Sequence, residues 1–201
     1  MRTMLMILAL SLWLPACIWR DAAVVPTTTA TSEAGGGSSA GGPIIDQTVT
    51  TLFGEEVVLR DFRGKALLIV NTASACEYTP QYQDLQTLQD LYAKRGFSVL
   101  AFPCNDFGDA EPGTPEQIHL FCTSHFQTTF PLFEKAHVIG DKLPLFKAMT
   151  EDTDLGIRGE IRANFTKFLV DPTGHVVARF EPAIKPLDAR VTAQIERVLP
   201  Q

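Results

Sequence analysis

The 201-residue chain has no Cys-x-x-Cys pair, no cluster of histidines and no run of lysine or arginine. Each absence removes a class of function. Without closely spaced cysteines the chain does not read as a dithiol exchanger, which keeps its two sulfurs side by side. His119, His125, His137 and His175 are scattered, and Cys17, Cys76, Cys104 and Cys122 lack zinc spacing, so no metal site and no cofactor are expected. A formal net charge of -6 with no basic block argues against a nucleic-acid partner. Tryptophan occurs only as Trp13 and Trp19, outside the region that reads as folded, and no internal repeat is visible.

What remains is 45% hydrophobic and 20% charged, enough for one domain with a real core and tails. Residues 1–16 read as a secretory signal: Arg2 supplies the positive start, and Met4–Leu14 is apolar apart from Ser11. Leu14-Pro15-Ala16-Cys17 resembles the bacterial lipobox, which implies a lipid on Cys17, although Pro15 is an unusual occupant of its position. Residues 17–43 then form a Thr/Ser/Gly-rich stretch too poor in apolar surface to offset its chain entropy, a flexible tether by composition. The expected location is the bacterial cell envelope, exported and held on a membrane by lipidated Cys17, facing the periplasm.

Residues 44–201 read as the folded domain. Gln47–Leu59 suggests a β-hairpin and Ala66–Asn71 a strand buried on both faces. Pro80–Lys94 has a helical stripe of Leu85, Leu88, Leu91 and Tyr92, with Gly96 beyond its end. Phe97–Phe102 is a second buried strand. Thr114-Pro115-Glu116-Gln117 opens a helix with an N-cap, a proline at the first position and a capping-box glutamine. A short helix is expected at Pro144–Met149, a strand–turn–strand across Phe165–Phe180, and a last helix over Pro186–Leu199 with Leu187, Val191, Ile195, Val198 and Leu199 on one side. The order predicts an α/β domain: a central mixed sheet with helices on both faces, compatible with a thioredoxin-like fold carrying an N-terminal hairpin.

Cys76 carries the chemistry. It follows a buried strand and precedes a helix, where the positive end of the macrodipole favours thiolate over thiol. The segments NTASACEYTPQY, FPCNDFGDAEPGTPEQIHLFC, TTFPLF and IRANFTKFLVDPTGHVVARF, in that order, are similar to the glutathione peroxidase family from about Ile45 to Leu199. The resemblance implies that Cys76 is the peroxidatic cysteine, oxidised by peroxide to sulfenic acid. It makes Cys122 the resolving cysteine of a thioredoxin-dependent branch; a plain core cysteine is the competing reading, because Ile118, Phe121 and Cys122 share an apolar stripe. Cys104 is expected to be structural.

The family surrounds its reactive sulfur with a glutamine, a tryptophan and an asparagine. Asn164 matches the asparagine. Asp106 is taken to stand at the glutamine position and Ala163 at the tryptophan position, so two N–H donors are missing. An inward, ionised Asp106 would raise the Cys76 pKa; a protonated one would donate; an outward one would be irrelevant. The short segment between Phe146 and Asn164 resembles monomeric members acting on phospholipid hydroperoxides. The expected substrates are hydrogen peroxide and organic or lipid hydroperoxides, the reductant a thioredoxin-like protein or glutathione, and the setting the response to oxidative stress. A redox sensor or weakened peroxidase is the alternative that the losses at Asp106 and Ala163 suggest.

Overall fold

A computed structural model of the protein describes residues 44–154 and 156–200. Cys17, the tether and both tryptophans lie outside the described residues. No helix among the described residues is long and apolar enough to cross a membrane.

The chain opens with an antiparallel hairpin, β1 (Thr48–Thr50) and β2 (Glu56–Val58), in which Thr48 pairs with Val58. The main sheet has four strands in the order β4-β3-β5-β6: β3 (Ala66–Thr72), β4 (Phe97–Pro103), β5 (Lys167–Val170) and β6 (Val176–Phe180). β3 and β4 run parallel, while β5 is antiparallel to β3 and β6 is antiparallel to β5. The sheet is therefore mixed, with helices on both faces. All seven residues of β3 are buried, and the period of two divides them between two cores.

On one face Leu67, Ile69, Leu100, Phe102 and Phe168 pack with Leu145, Phe146 and Met149 of α3 (Pro144–Glu151) and with Val49 and Val57 of the hairpin. On the other, Leu68, Val70, Val99 and Leu169 meet Tyr82, Leu85 and Leu88 of α1 (Gln81–Tyr92). That face also takes Ile118 and Cys122 of α2 (Pro115–Phe126) and Val191 and Ile195 of α4 (Ala189–Val198).

Helix ends follow local chemistry. α2 has the expected capping box, in which Thr114 accepts from the Gln117 N–H and the Gln117 side chain accepts from the Thr114 N–H. Helix α1 tightens into a 3-10 turn over Ala93–Arg95 and stops at Gly96, whose φ of 79° is left-handed. Two expected core positions are corrected. Leu91 is 58% exposed because it lies about 100° around the helix from Tyr92. Leu187 is 40% exposed because α4 starts later, where the Asp188 carboxylate accepts from the Arg190 N–H and caps the helix.

The parallel pair brings the carboxyl ends of β3 and β4 to one edge, and the antiparallel β5 brings its amino end there too. Three loops therefore converge: 73–80 after β3, 104–114 after β4, and 163–166 before β5.

Candidate active site

The loop after β3 holds Cys76 half-buried. The Cys76 N–H donates to Thr79 Oγ1 at 3.0 Å, that hydroxyl donates to the Ala73 carbonyl at 2.9 Å, and the Thr79 N–H returns to the Cys76 carbonyl at 3.1 Å. Thr79 thus closes a turn just ahead of α1. Cys76 sits at the strand-to-helix junction that the sequence suggested, five residues ahead of the first residue of α1.

The second loop is sewn to the first. The Ala75 N–H donates to the Ala110 carbonyl at 2.9 Å, and Ser74 Oγ donates to Glu111 Oε1 at 2.7 Å. Asn105 fixes the loop's shape by accepting from the Glu111 N–H at 2.7 Å. Glu111 is fully buried, and its Oε2 has no partner among the described residues. Burial raises its pKa, and bonds from Ser74 and the charge of Lys135 only partly offset that.

The third loop is organised by Asn71 of β3. Its Nδ2 donates to the Ala163 carbonyl at 3.2 Å and to Asn164 Oδ1 at 3.1 Å, and its Oδ1 accepts from the Thr166 N–H at 3.1 Å. Its carbonyl accepts from the Phe165 N–H at 2.6 Å. Phe165 takes a φ of 65°, the left-handed region that a bulky side chain rarely enters. The result is a buried Asn164 whose Nδ2 has no partner among the described residues. A free amide donor in the interior is the feature an anion-stabilising asparagine needs.

Ala163 presents only a methyl group, so no side-chain donor exists there. Asp106, whose direction the sequence left open, is held by another segment. Its carboxylate accepts from the Val138 N–H at 2.6 Å, the Ile139 N–H at 3.2 Å and His137 Nδ1 at 2.8 Å. Burial alone would raise its pKa, but these donors outweigh burial and hold it below the ordinary carboxylate value. Asp106 is an anion fastened to the 137–139 segment and makes no bond to the Cys76 loop. The part of its loop that meets Cys76's loop is Ala110–Glu111.

Cys122 is fully buried in the middle of α2, and burial pushes its thiol up to about 11, with Glu111 adding to the rise and Tyr82 opposing it. The Tyr82 hydroxyl lies against Cys122 and Thr72 without completing an aligned bond to either. Cys104, also buried, is pushed up to about 12, and its N–H donates to the Thr72 carbonyl at 2.8 Å. It is a strand-end residue in the core, and Cys76, Cys104 and Cys122 are all free thiols. The described residues hold no cluster of three potential metal ligands.

Sequence reasoning missed Asn71, Ser74, Thr79, Tyr82, Glu111 and Lys167. The clearest overlooked signal was Lys167: a lysine opening an apolar strand has to find partners.

A lone half-buried cysteine at the carboxyl edge of a thioredoxin-like sheet, with an amide donor unpaired among the described residues on another loop of that edge and no Cys-x-x-Cys partner, fits a thiol peroxidase-type site. The sequence model described as Glutathione peroxidase matches residues 44–150. The hydroperoxy fatty acid reductase gpx1 of Synechocystis sp. is 49% identical over 159 residues, covering 76% of this chain and 93% of that protein. The glutathione peroxidase-like peroxiredoxin GPX5 of Chlamydomonas reinhardtii is 45% identical, with the same coverage of 76% and 93%. Among solved structures, Trgpx in its apo form shares 31% identity and a TM-score of 0.63, covering 79% of this chain and 96% of that one. A thioredoxin-family thiol:disulfide interchange protein of Chlorobium tepidum, 17% identical with a TM-score of 0.58, covers 82% and 100% and shares the fold alone. The chain belongs to the glutathione peroxidase family. It is a peroxidase that acts on hydroperoxides and draws its electrons from a thiol.

Proposed function

We propose that Cys76 is the nucleophile of this thiol peroxidase and Cys122 its resolving partner. The Cys76 thiolate attacks one peroxide oxygen, the O–O bond breaks, and the departing alkoxide takes a proton to leave as alcohol or water. Cys76 becomes sulfenic acid. Cys122 then attacks that sulfur, the S–O bond breaks, water leaves, and a disulfide remains for an external dithiol to reduce. The unpaired Asn164 amide beside the strand end carries this reading, since it supplies a donor for the anionic sulfur without disturbing an existing bond.

The burial of Cys122 supports a moving resolving step. A disulfide needs Cα atoms about 4.4–6.8 Å apart, so α2 unwinds in part before the sulfurs meet. A thioredoxin-like protein fits better than glutathione as reductant, because an internal disulfide is a dithiol's substrate. A Synechocystis relative is named for hydroperoxy fatty acids, and a lipidated Cys17 on a flexible tether would hold a monomeric enzyme beside such lipids in the bacterial envelope, raising effective concentration. Removal of oxidised lipid under oxidative stress follows from that placement.

The turnover test uses hydrogen peroxide and a lipid hydroperoxide with thioredoxin, on wild type, Cys76→Ser and Cys122→Ser. Repeated turnover lost in both variants supports the proposal; turnover surviving Cys76→Ser rejects it. A second reading draws on Ala163, which removes a donor from the site: a redox sensor would consume one equivalent of peroxide per chain and stop.

A further inference from the structure

Lys167 is buried completely, an uncommon fate for a lysine. It opens β5 three residues after Asn164, and its Nζ donates to the Phe165 carbonyl at 2.7 Å and to Gln81 Oε1 at 2.9 Å. Gln81 is the first residue of α1, the helix that follows Cys76, and its own Nε2 donates to the Pro182 carbonyl at 2.7 Å. Phe165 is the residue held in the left-handed conformation. Its N–H is bound by Asn71 and its carbonyl by Lys167, so both polar groups of the kink are tied down. Without that restraint the kink has a reason to relax, because the left-handed conformation costs about 1–3 kcal/mol for such a residue.

We infer that Lys167 is a positioning residue of the peroxidatic site, a bolt that fixes the Asn164–Phe165 kink to the helix following Cys76. The inference rests on the reading of Cys76 as the nucleophile. Asn164 and Cys76 arrive on different segments of the chain, and Lys167 bonds to Phe165, next to Asn164, and to Gln81, the first residue of the helix that follows Cys76. Its bonds therefore tie the turn that carries the donor to the helix behind the sulfur. Mislocation by about 1 Å is enough to cost about a hundredfold in rate.

The bolt is also pH-sensitive. Burial lowers the Lys167 pKa to about 7, while Glu181 after β6 and Asp84 on α1 pull it upward. Its register neighbours, Val70 on β3 and Phe180 on β6, do not titrate. Below this value both bonds are charge-assisted; above it they come from a neutral amine and weaken. The rate constant per Cys76 thiolate then falls as pH rises through about 7.

The experiment measures single-turnover oxidation of Cys76 by hydrogen peroxide from pH 5.5 to about 9, spanning the lysine and thiol ranges. Sulfenic acid is trapped chemically in the full chain, and thiolate content is measured by alkylation. Lys167→Met should slow oxidation about tenfold or more and erase the inflection near 7. Gln81→Glu, which places a carboxylate against the amine, should move the inflection upward and keeps the inference testable if Lys167→Met does not fold. A folded Lys167→Met with the wild-type rate and profile overturns the inference, as does a Gln81→Glu profile identical to wild type. Failure of wild-type Cys76 to form sulfenic acid would instead overturn the reading of Cys76 itself.

Discussion

Asn71 Nδ2 donates to Asn164 Oδ1 across 3.1 Å, while the buried Asn164 amide nitrogen has no partner among the described residues. The two side chains divide the work. Asn71 shapes the 163–166 turn, and on the proposed mechanism Asn164 is the donor to the sulfur.

Asn71→Ala should therefore damage fold and chemistry together. It removes two donated bonds and one accepted bond, leaving buried groups of the turn unpaired. The expected loss is about 3 kcal/mol in denaturant unfolding, with slower Cys76 oxidation. Asn164→Asp keeps an acceptor for Asn71 but removes the free N–H. It should slow oxidation about tenfold or more with a smaller change in stability, as single-turnover kinetics and thermal melts would show.

Asp106→Asn separates structure from catalysis. The backbone donors and His137 outweigh burial and hold the carboxyl below its ordinary value. Its contribution is therefore present above the unfolded pKa and is lost as pH falls through the folded one. The variant should lose about 2 kcal/mol at neutral pH, with the difference from wild type shrinking in acid, while the Cys76 oxidation rate stays unchanged. A changed oxidation rate would show that Asp106 reaches the sulfur after all.

Glu111→Gln should act with the opposite sign. Burial raises the folded pKa above the unfolded value. The favourable contribution is complete below the unfolded pKa and is lost as pH rises through the folded one. Thermal melts across pH should show Glu111→Gln gaining on wild type as pH rises above the ordinary carboxylate range. A constant difference would contradict the assignment.

Ala163→Trp should raise the rate of Cys76 oxidation by restoring an indole N–H at a half-buried position beside Asn164. An unchanged rate, measured with hydrogen peroxide, would mean that this position does not touch the sulfur.

The fold was legible because its elements are locally consistent. The unbroken apolar run of β3, the Thr114–Gln117 capping box and the Gly96 stop each name one structure. Leu91 and Leu187 misled because an apolar residue carries no mark of its side of a helix or of a later cap. At the site, the placement of Cys76 could be read from its position between strand and helix, and the burial of Cys122 from the apolar stripe of α2. The direction of Asp106 could not. Its side chain is set by two N–H groups and an imidazole 31–33 residues away, which no local pattern announces. Lys167 and Glu111 were hidden because one side-chain partner of each, Gln81 for the lysine and Ser74 for the glutamate, is 86 and 37 residues away in sequence.

The most direct measurement is peptide mapping of the reduced chain after one equivalent of hydroperoxide, with the released alcohol counted. The account predicts a disulfide-linked peptide joining Cys76 to Cys122 and alcohol equal to the peroxide added. Cys76 recovered as a free thiol, or oxygenated without ever pairing to Cys122, would contradict it.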